Sequence, residues 1–477
     1  METLSGWIDR QQAHAAQQML RSISPLGVVK TRPGFDQIIR PLPGAVVASP
    51  VPASYDPDPD YFFHWYRDSA IVIDALRLLH AAEPSGDQAR RLFGEFVRFS
   101  AALAQLDGRQ LAAASGRWRP RVAADFVQFL RPDAELERIH GDAVAAETRV
   151  NPDGTLDISN WGRPQNDGPA LRALTVLRWM RSESLEADVL SACESLLRTD
   201  LSFTRAHWRE PCYDIWEEER GLHYFTLRVS AQALDDGAEW LDSRAEREQA
   251  QGCRADAQSI RSRLDGYWLA DRGYYRSRVL ESGEASAKEL DIAVVLAALH
   301  AGDDDPTHSV RDPRIHATLG VLDSVFESDY PINHGRPAAR GPALGRYRAD
   351  RYYSGGAYYF STLAAAELCF RAARSGGGRD ALLARGDRYL ETVRAFTPES
   401  GDMSEQFDQR TGEQTSAKHL AWSYAAFISC AAARRAALTK SPGAILDDAQ
   451  RRPRRGEAQE GPSNGQDGSR PRPGPAP

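Results

Sequence analysis

Cysteine is scarce: five residues in 477, at Cys193, Cys212, Cys253, Cys369 and Cys430, with no C-x-x-C pair among them. Spacing this wide excludes a dense disulfide framework and offers no zinc motif, which leaves buried thiols as the simple reading. No apolar stretch approaches the roughly 18 uninterrupted residues that a membrane span requires. There is no N-x-S/T acceptor either. The opening METLSGWIDRQQAHAAQQML lacks a basic stretch leading into an apolar core and a small-residue cleavage site, so a cytoplasmic protein is expected. The eleven histidines are dispersed without ligand spacing, so no metal site is expected. H-E-x-x-H, G-x-S-x-G, the phosphate-cradling G-x-x-x-x-G-K-[ST] and a strand-linked G-x-G-x-x-G are all missing, and with them zinc-peptidase, serine-hydrolase and nucleotide chemistries; no cofactor is expected. A formal net charge of −7 provides no global basic field, which disfavours nucleic acid and anionic membrane as partners.

What the chain does have is a 42% hydrophobic share, enough to bury a large core, and ten tryptophans beside 16 tyrosines and 16 phenylalanines. Several of these rings lie in Gly/Pro/Asp-rich loops, where they have no periodic partner to pack on. Loop aromatics suit flat ligands edged with hydroxyls, such as sugars, whose apolar faces stack on rings. Apolar periodicity near 3.6 residues predicts twelve helices, at about residues 4–23, 68–82, 86–106, 167–182, 185–207, 222–241, 246–269, 287–301, 312–326, 357–375, 379–396 and 416–439. Strand patterns are few. Short and long connections alternate along the series, so helices that alternate in direction would place all the long loops at one end, where a site is usually built. The expected fold is all-α, an (α/α)6 barrel of six helical hairpins over residues 1–440. Residues 441–477, rich in Pro, Gly and Arg and nearly devoid of large apolar side chains, read as a disordered tail.

Four loops carry unusual combinations. PDPDYFFHWYRDSA brings Tyr61, Trp65, Arg67 and Asp68 together just ahead of a helix. Asp68 reads equally as a helix N-cap or as half of an Arg-Asp pair that brackets vicinal hydroxyls. NWGRPQNDGPALRA presents Trp161 as a stacking platform, with Arg163 beside it. CYDIWEEERGLHYF packs Glu217, Glu218 and Glu219 between Trp216 and a second apolar cluster. Such a run is usually a solvated helix start; like charges beside rings also raise a carboxyl pKa, which is how a general acid keeps its proton. SGDMSEQFDQRTGEQ offers Glu405. Two carboxyls on loops at one barrel face are what inverting glycoside hydrolysis needs, one to protonate the leaving oxygen and one to activate water.

At these loops the chain resembles the glucoamylases of glycoside hydrolase family 15, with ordered motifs from about residue 4 to 438: YFFHWYRDS, WGRPQNDGPALRA, YDIWEE, GRYRADRYY followed by STLAAAE, and MSEQFD with GEQTSA and LAWSYAA. The resemblance implies an (α/α)6 barrel that removes β-D-glucose from non-reducing ends of α-1,4-glucans and maltooligosaccharides. It implies Glu217 as general acid, Glu405 as general base, and Glu218 as a carboxylate that binds the sugar beyond the scissile bond. Tyr61 would support the base and the oxocarbenium-like centre, Arg67 and Asp68 would grip the terminal glucose, and Trp65, Trp161, Arg163, Trp216 and Arg346 would complete the substrate-binding set. Where the family usually has Asn-Pro-Trp after the GRY loop, this chain reads Gly356, Ala357, Tyr358, so Tyr358 takes the position of a tryptophan that shapes the pocket. Neither a starch-binding module after the barrel nor a β-sandwich ahead of it is read, which makes soluble oligosaccharides the expected substrates rather than starch granules. Two alternatives stay open: a trehalase or an isomaltose- or dextran-acting relative, and a non-catalytic glucan-binding module.

Overall fold

The computed structural model describes residues 2–54, 57–82, 86–302, 306–374 and 377–439. The expected tail, 441–477, lies outside the described residues.

Among the described residues, twelve main helices run in sequence: α1 (Leu4–Leu20), α2 (Tyr66–Ala82), α3 (Gln88–Leu103), α4 (Asp167–Ser182), α5 (Ala187–His207), α6 (Tyr224–Ser243), α7 (Arg247–Asp265), α8 (Ala293–Ala301), α9 (Pro313–Asp329), α10 (Tyr359–Ala372), α11 (Arg379–Phe396) and α12 (Ala421–Leu438). The even-numbered helices form a closed inner ring: α2 packs on α4, α4 on α6, α6 on α8, α8 on α10, α10 on α12, and α12 returns to α2. Each odd-numbered helix covers the outside, with α3, α5, α7, α9 and α11 against the inner helix just before them in the chain and α1 against α12. This is the six-hairpin barrel, with its sixth hairpin made from the two ends of the domain.

Burial separates the rings as composition predicts. In α10, 13 of 14 residues are buried and in α6, 16 of 20, whereas the outer α7 buries five of 19. A helix surrounded by protein must be apolar or small on every face; the runs Ala364–Ala366 and Ala297–Ala298 let inner helices approach closely. Outer helices keep a single apolar stripe and solvate the rest. The core is tight, as the stacking of Phe93 on Trp179 illustrates, with ring centroids 4.6 Å apart and an interplanar angle of 11°.

Two helices have the bounds expected from sequence, 167–182 and 379–396, and the others are displaced by a few residues. α12 starts at Ala421 rather than 416 because Gln414–Thr415 pairs with Gln406–Phe407, itself paired with Ala357–Tyr358. α8 starts at Ala293 rather than 287, where Asp291 Oδ1 accepts the Ala293 N–H at 2.8 Å. The 104–166 connection, read as a plain loop, contains short helical turns at Gly108–Ala113, Ser115–Trp118 and Asp133–Leu136. The segments ahead of α2, α4, α6, α10 and α12 bring residues to one shared pocket, so the N-termini of these inner helices meet at one end.

Leu234 on the inner α6 is fully buried, while Leu382 on the outer α11 is part-exposed. Leu234→Ala is expected to cost about 2–5 kcal/mol and Leu382→Ala distinctly less; chemical-denaturation midpoints of the two variants check this ordering.

Candidate active site

At the loop end, a pocket of about 250 Å3 gathers ten of the residues singled out from sequence: Tyr61, Trp65, Arg67, Asp68, Trp161, Trp216, Glu217, Glu218, Arg346 and Glu405. Its remaining walls include Tyr352, Phe360, Leu420 and Trp422. Trp422 and Phe360 stack at 4.6 Å and 10°, and Trp216 lies nearly parallel to both, at 6.3 and 5.9 Å, which gives the pocket an aromatic floor. Tyr61, Trp65 and Trp161 form a continuous side wall, with successive centroids 5.2 and 6.4 Å apart.

Glu217 sits in a turn between the strands Cys212–Tyr213 and Arg220–His223, so the Glu run is neither a helix start nor a solvated face. Asp214 organises this turn by accepting the N–H groups of Trp216 at 2.7 Å and Glu219 at 2.8 Å. Arg278, buried, holds the far side through Asp214 at 3.0 Å and Glu219 at 2.9 Å, and also pairs with Asp291. Asp291 in turn accepts from Trp216 Nε1 at 2.9 Å. Glu217 itself takes φ +59, a left-handed conformation rare for a residue with a side chain and characteristic of functional sites. Gly162 makes this possible: a Cβ there would lie 2.8 Å from the Glu217 carbonyl oxygen and 3.0 Å from its Cβ.

Burial pushes the Glu217 carboxyl above its ordinary range, against the pull of Arg67, whose Nη2 donates to Oε1 at 2.7 Å. Arg67 also reaches Asp167 at 3.4 Å and Asp68 at 3.6 Å. Its Nε, the atom that faces Asp68, is buried and has no hydrogen-bond partner among the described residues. Asp68 lies in the first turn of α2 rather than at its cap, and faces the pocket.

Glu405 precedes the strand Gln406–Phe407 and is fixed by backbone bonds from its N–H to Ala417 at 2.8 Å and from the Tyr359 N–H to its carbonyl at 3.3 Å. Its side chain accepts from Ser416 Oγ and, at 3.4 Å, from the Tyr61 hydroxyl, which is also bonded to Tyr352 at 2.7 Å. Burial raises its carboxyl to about 7, opposed by the Ser416 hydrogen bond and by Arg346.

Beside this pair, Glu218 accepts from Tyr347 at 2.6 Å, Lys288 at 2.7 Å and Arg346 at 3.1 Å, while Arg346 makes a bidentate pair with Asp350, both contacts at 2.7 Å. Tyr347, Lys288 and Asp350 were not legible as site residues.

Two candidates lie off the pocket. Arg163 turns outward: its guanidinium is taken up by Glu147 at 2.8 Å and Asp157 at 2.9 Å, so it shapes the Trp161 loop and lines an adjoining cavity. Tyr358 is completely buried behind the wall, accepting from Gln406 Nε2 at 2.8 Å and donating to Asp350 at 3.2 Å.

The family model for glycosyl hydrolases family 15 matches residues 16–104 and 145–432. The chain belongs to that family. It is similar to glucoamylase 1 of Rhizopus oryzae, at 26% identity over 91% of this chain and 71% of that protein. It is also similar to the probable glucoamylase of Schizosaccharomyces pombe, at 27% over 89% and 91%. The solved glucoamylase of Hormoconis resinae superposes with a TM-score of 0.73 at 27% identity, covering 93% of this chain and 76% of that one. The protein is therefore a glycoside hydrolase with the (α/α)6 architecture.

Raising Glu405 to about 7 from an ordinary 4.5 means that the folded protein binds this proton more tightly than the unfolded chain does. The associated stability is present at pH below about 4.5 and is lost as pH rises through about 7. Glu405→Gln is therefore expected to stabilise the protein at pH 8 by an amount of order 3 kcal/mol at most, the gain fading below pH 4.5. Unfolding midpoints of both proteins at three pH values check it; a pH-independent difference contradicts it.

Proposed function

We propose that this glycoside hydrolase is a glucoamylase: an exo-acting, inverting α-glucosidase that releases β-D-glucose from the non-reducing ends of α-1,4-glucans and maltooligosaccharides. The observation that carries this reading is the presence, in one small aromatic-floored pocket, of two carboxyls on separate loops, the part-buried Glu217 and the buried Glu405, each held by its own set of partners.

The terminal glucose enters the pocket and lies against Trp65 and Trp216, with Arg67 and Asp68 bonding its hydroxyls. Glu217 gives its proton to the glycosidic oxygen as the bond lengthens. Glu405 accepts a proton from a water molecule that attacks the anomeric carbon from the opposite face, so configuration inverts. The Tyr61 hydroxyl, shared between Tyr352 and Glu405, places a partially negative oxygen beside the developing oxocarbenium centre. Glu218 and Arg346 receive the sugar on the far side of the cleaved bond.

Arg67 adds a coupling. Its 2.7 Å contact favours ionised Glu217, the wrong state for an acid. Hydroxyls of the bound glucose draw the guanidinium away from that carboxylate, and removal of the counter-charge in a dry site raises the Glu217 pKa further. Substrate binding thus sets the protonation state that the reaction consumes.

Glu217→Gln and Glu405→Gln are each expected to lose about three or more orders of magnitude in kcat while folding normally; retained activity in either sinks the assignment. The first product anomer followed by NMR should be β-glucose. Glucose release from maltotriose, isomaltotriose and trehalose, measured side by side, should favour maltotriose. Ser416→Ala removes a hydrogen bond that stabilises ionised Glu405, so the acid limb of kcat/KM is expected to move from near pH 7 to higher pH. A limb that stays in place separates Glu405 from the base role.

A further inference from the structure

Of the eight large apolar side chains most exposed among the described residues, six gather in two stretches: Leu26, Val29, Ile38 and Leu42 in one, Val127 and Phe129 in the other. The first stretch is built around a two-stranded hairpin, Lys30–Arg32 paired with Gln37–Ile39, in which Thr31 is opposite Ile38. Its inner side is committed to the barrel: Lys30 and Arg32 reach Asp60 at 3.4 and 2.6 Å, and Ile39 is buried. Alternation turns Val29, Thr31, Ile38, Arg40 and Leu42 outward. The second stretch adjoins the turn of the hairpin, where the Ala123 N–H donates to the Gly34 carbonyl at 2.9 Å, Arg121 pairs with Asp36 at 3.0 Å and the Phe126 and Phe35 rings meet at 5.1 Å. It falls between the two matched parts of the family model.

A strand face that meets only water is ordinarily polar. Ile38, 65% exposed at the centre of the outward face, departs from that rule, and exposed apolar faces of this kind mark contact surfaces. The charges beside it select the partner. Asp36 and Arg40 stand two residues to either side of Ile38. A second copy laid antiparallel across the first, on a two-fold axis through Ile38, brings position 36 opposite position 40 and position 40 opposite position 36. Acid then meets guanidinium twice, and the two Ile38 side chains meet on the axis. A parallel arrangement would oppose like charges. The Arg40 guanidinium makes no hydrogen bond or ion pair among the described residues, and the one ion pair of Asp36, with Arg121, is exposed and so worth little in water. Paired signs, rather than a run of positive charge, distinguish this face from one made for anionic lipid.

We propose that this face joins two copies of the chain in an isologous dimer, with the outer sides of the two hairpins packed antiparallel across Ile38 and with Val127 and Phe129 extending the contact. The dimer does not depend on the glucoamylase reading. Its packing clamps the hairpin whose Arg32 holds Asp60, the residue before Tyr61.

Sedimentation velocity of the full chain between about 1 and 100 µM tests it. A dimer that dissociates on dilution is expected. Ile38→Lys opposes two cations on the axis and should leave only monomer across that range. Asp36→Asn and Arg40→Gln should each weaken association about tenfold, and the two together no more than either alone, because both remove the same contacts. Asn suits the left-handed backbone of residue 36, at φ +53, and Arg40 is outward and unpaired, so these two variants keep the test open even if Ile38→Lys misfolds. Far-UV circular dichroism matching the parent separates lost association from lost fold. A chain that is monomeric at about 100 µM overturns the proposal, as does a dimer indifferent to all three changes, or effects of Asp36→Asn and Arg40→Gln that multiply. Binding of such a monomer to phosphatidylcholine–phosphatidylserine vesicles, lost in Ile38→Lys, would give the face to lipid instead.

Discussion

Buried guanidinium groups hold the active end of this protein in shape. The site is assembled from loops whose strands are two to four residues long, too short to fix a geometry by backbone bonding alone. In their place, Arg278 pins the Glu217 turn through Asp214, Glu219 and Asp291, while Arg346 pins the opposite wall through Asp350 and Glu218. Arg32 secures the approach to Tyr61 through Asp60 at 2.6 Å, with further bonds to Asn151 and the Phe62 carbonyl. Arg149 lies over the rings of Trp65 and Trp161, at 4.8 and 3.8 Å, and pairs with Asp157 at 2.9 Å. Buried pairs of this kind contribute little net stability, because desolvation offsets their attraction, but loss of one partner costs roughly 3–5 kcal/mol. Their value here is that each loop has one low-energy arrangement.

That framework sets the terms for the two central carboxyls. A dry, aromatic-floored pocket raises both Glu217 and Glu405, and the neighbouring charges decide how far. Arg67 restrains Glu217, whereas Glu405 has Ser416 and the more distant Arg346 against burial and two other acids, Asp68 and Asp350. Both carboxyls thus lie above their ordinary range, Glu217 against the pull of Arg67 and Glu405 up to about 7. The acids pay for this arrangement in stability at neutral pH, which is the usual relation between an active site and its fold.

Much of this was legible in the sequence, for identifiable reasons. The barrel was legible because twelve helical periods follow one another with long connections alternating with short ones; which helices form the inner ring emerged only from their burial. Glu217, Glu405, Arg67 and the loop tryptophans stood out since nothing periodic surrounded them. Trp422 and Phe360 did not, although they floor the pocket: each sits in an apolar helix, α12 or α10, where a buried ring needs no special explanation. Lys288 and Tyr347 were hidden for the opposite reason, as polar residues in polar loops whose partner, Glu218, is found only in three dimensions. Arg163 looked like a ligand because its motif is next to Trp161, but sequence proximity does not tell which way a guanidinium turns.

Tyr358 shows what a single replacement does in such a framework. Its hydroxyl accepts from Gln406, the residue after Glu405, and donates to Asp350, which holds Arg346, which reaches Glu218, the residue after Glu217. A continuous run of hydrogen bonds thus joins the loop of one central carboxyl to the loop of the other. An indole, usual at this position in the family, has one N–H and no acceptor, so it can join such a chain at one end but cannot pass it on. The tyrosine converts a packing position into a link. Its consequence falls on relative placement, since the distance between the two carboxyls decides whether a water molecule fits between Glu405 and the sugar, and so whether the reaction inverts at all.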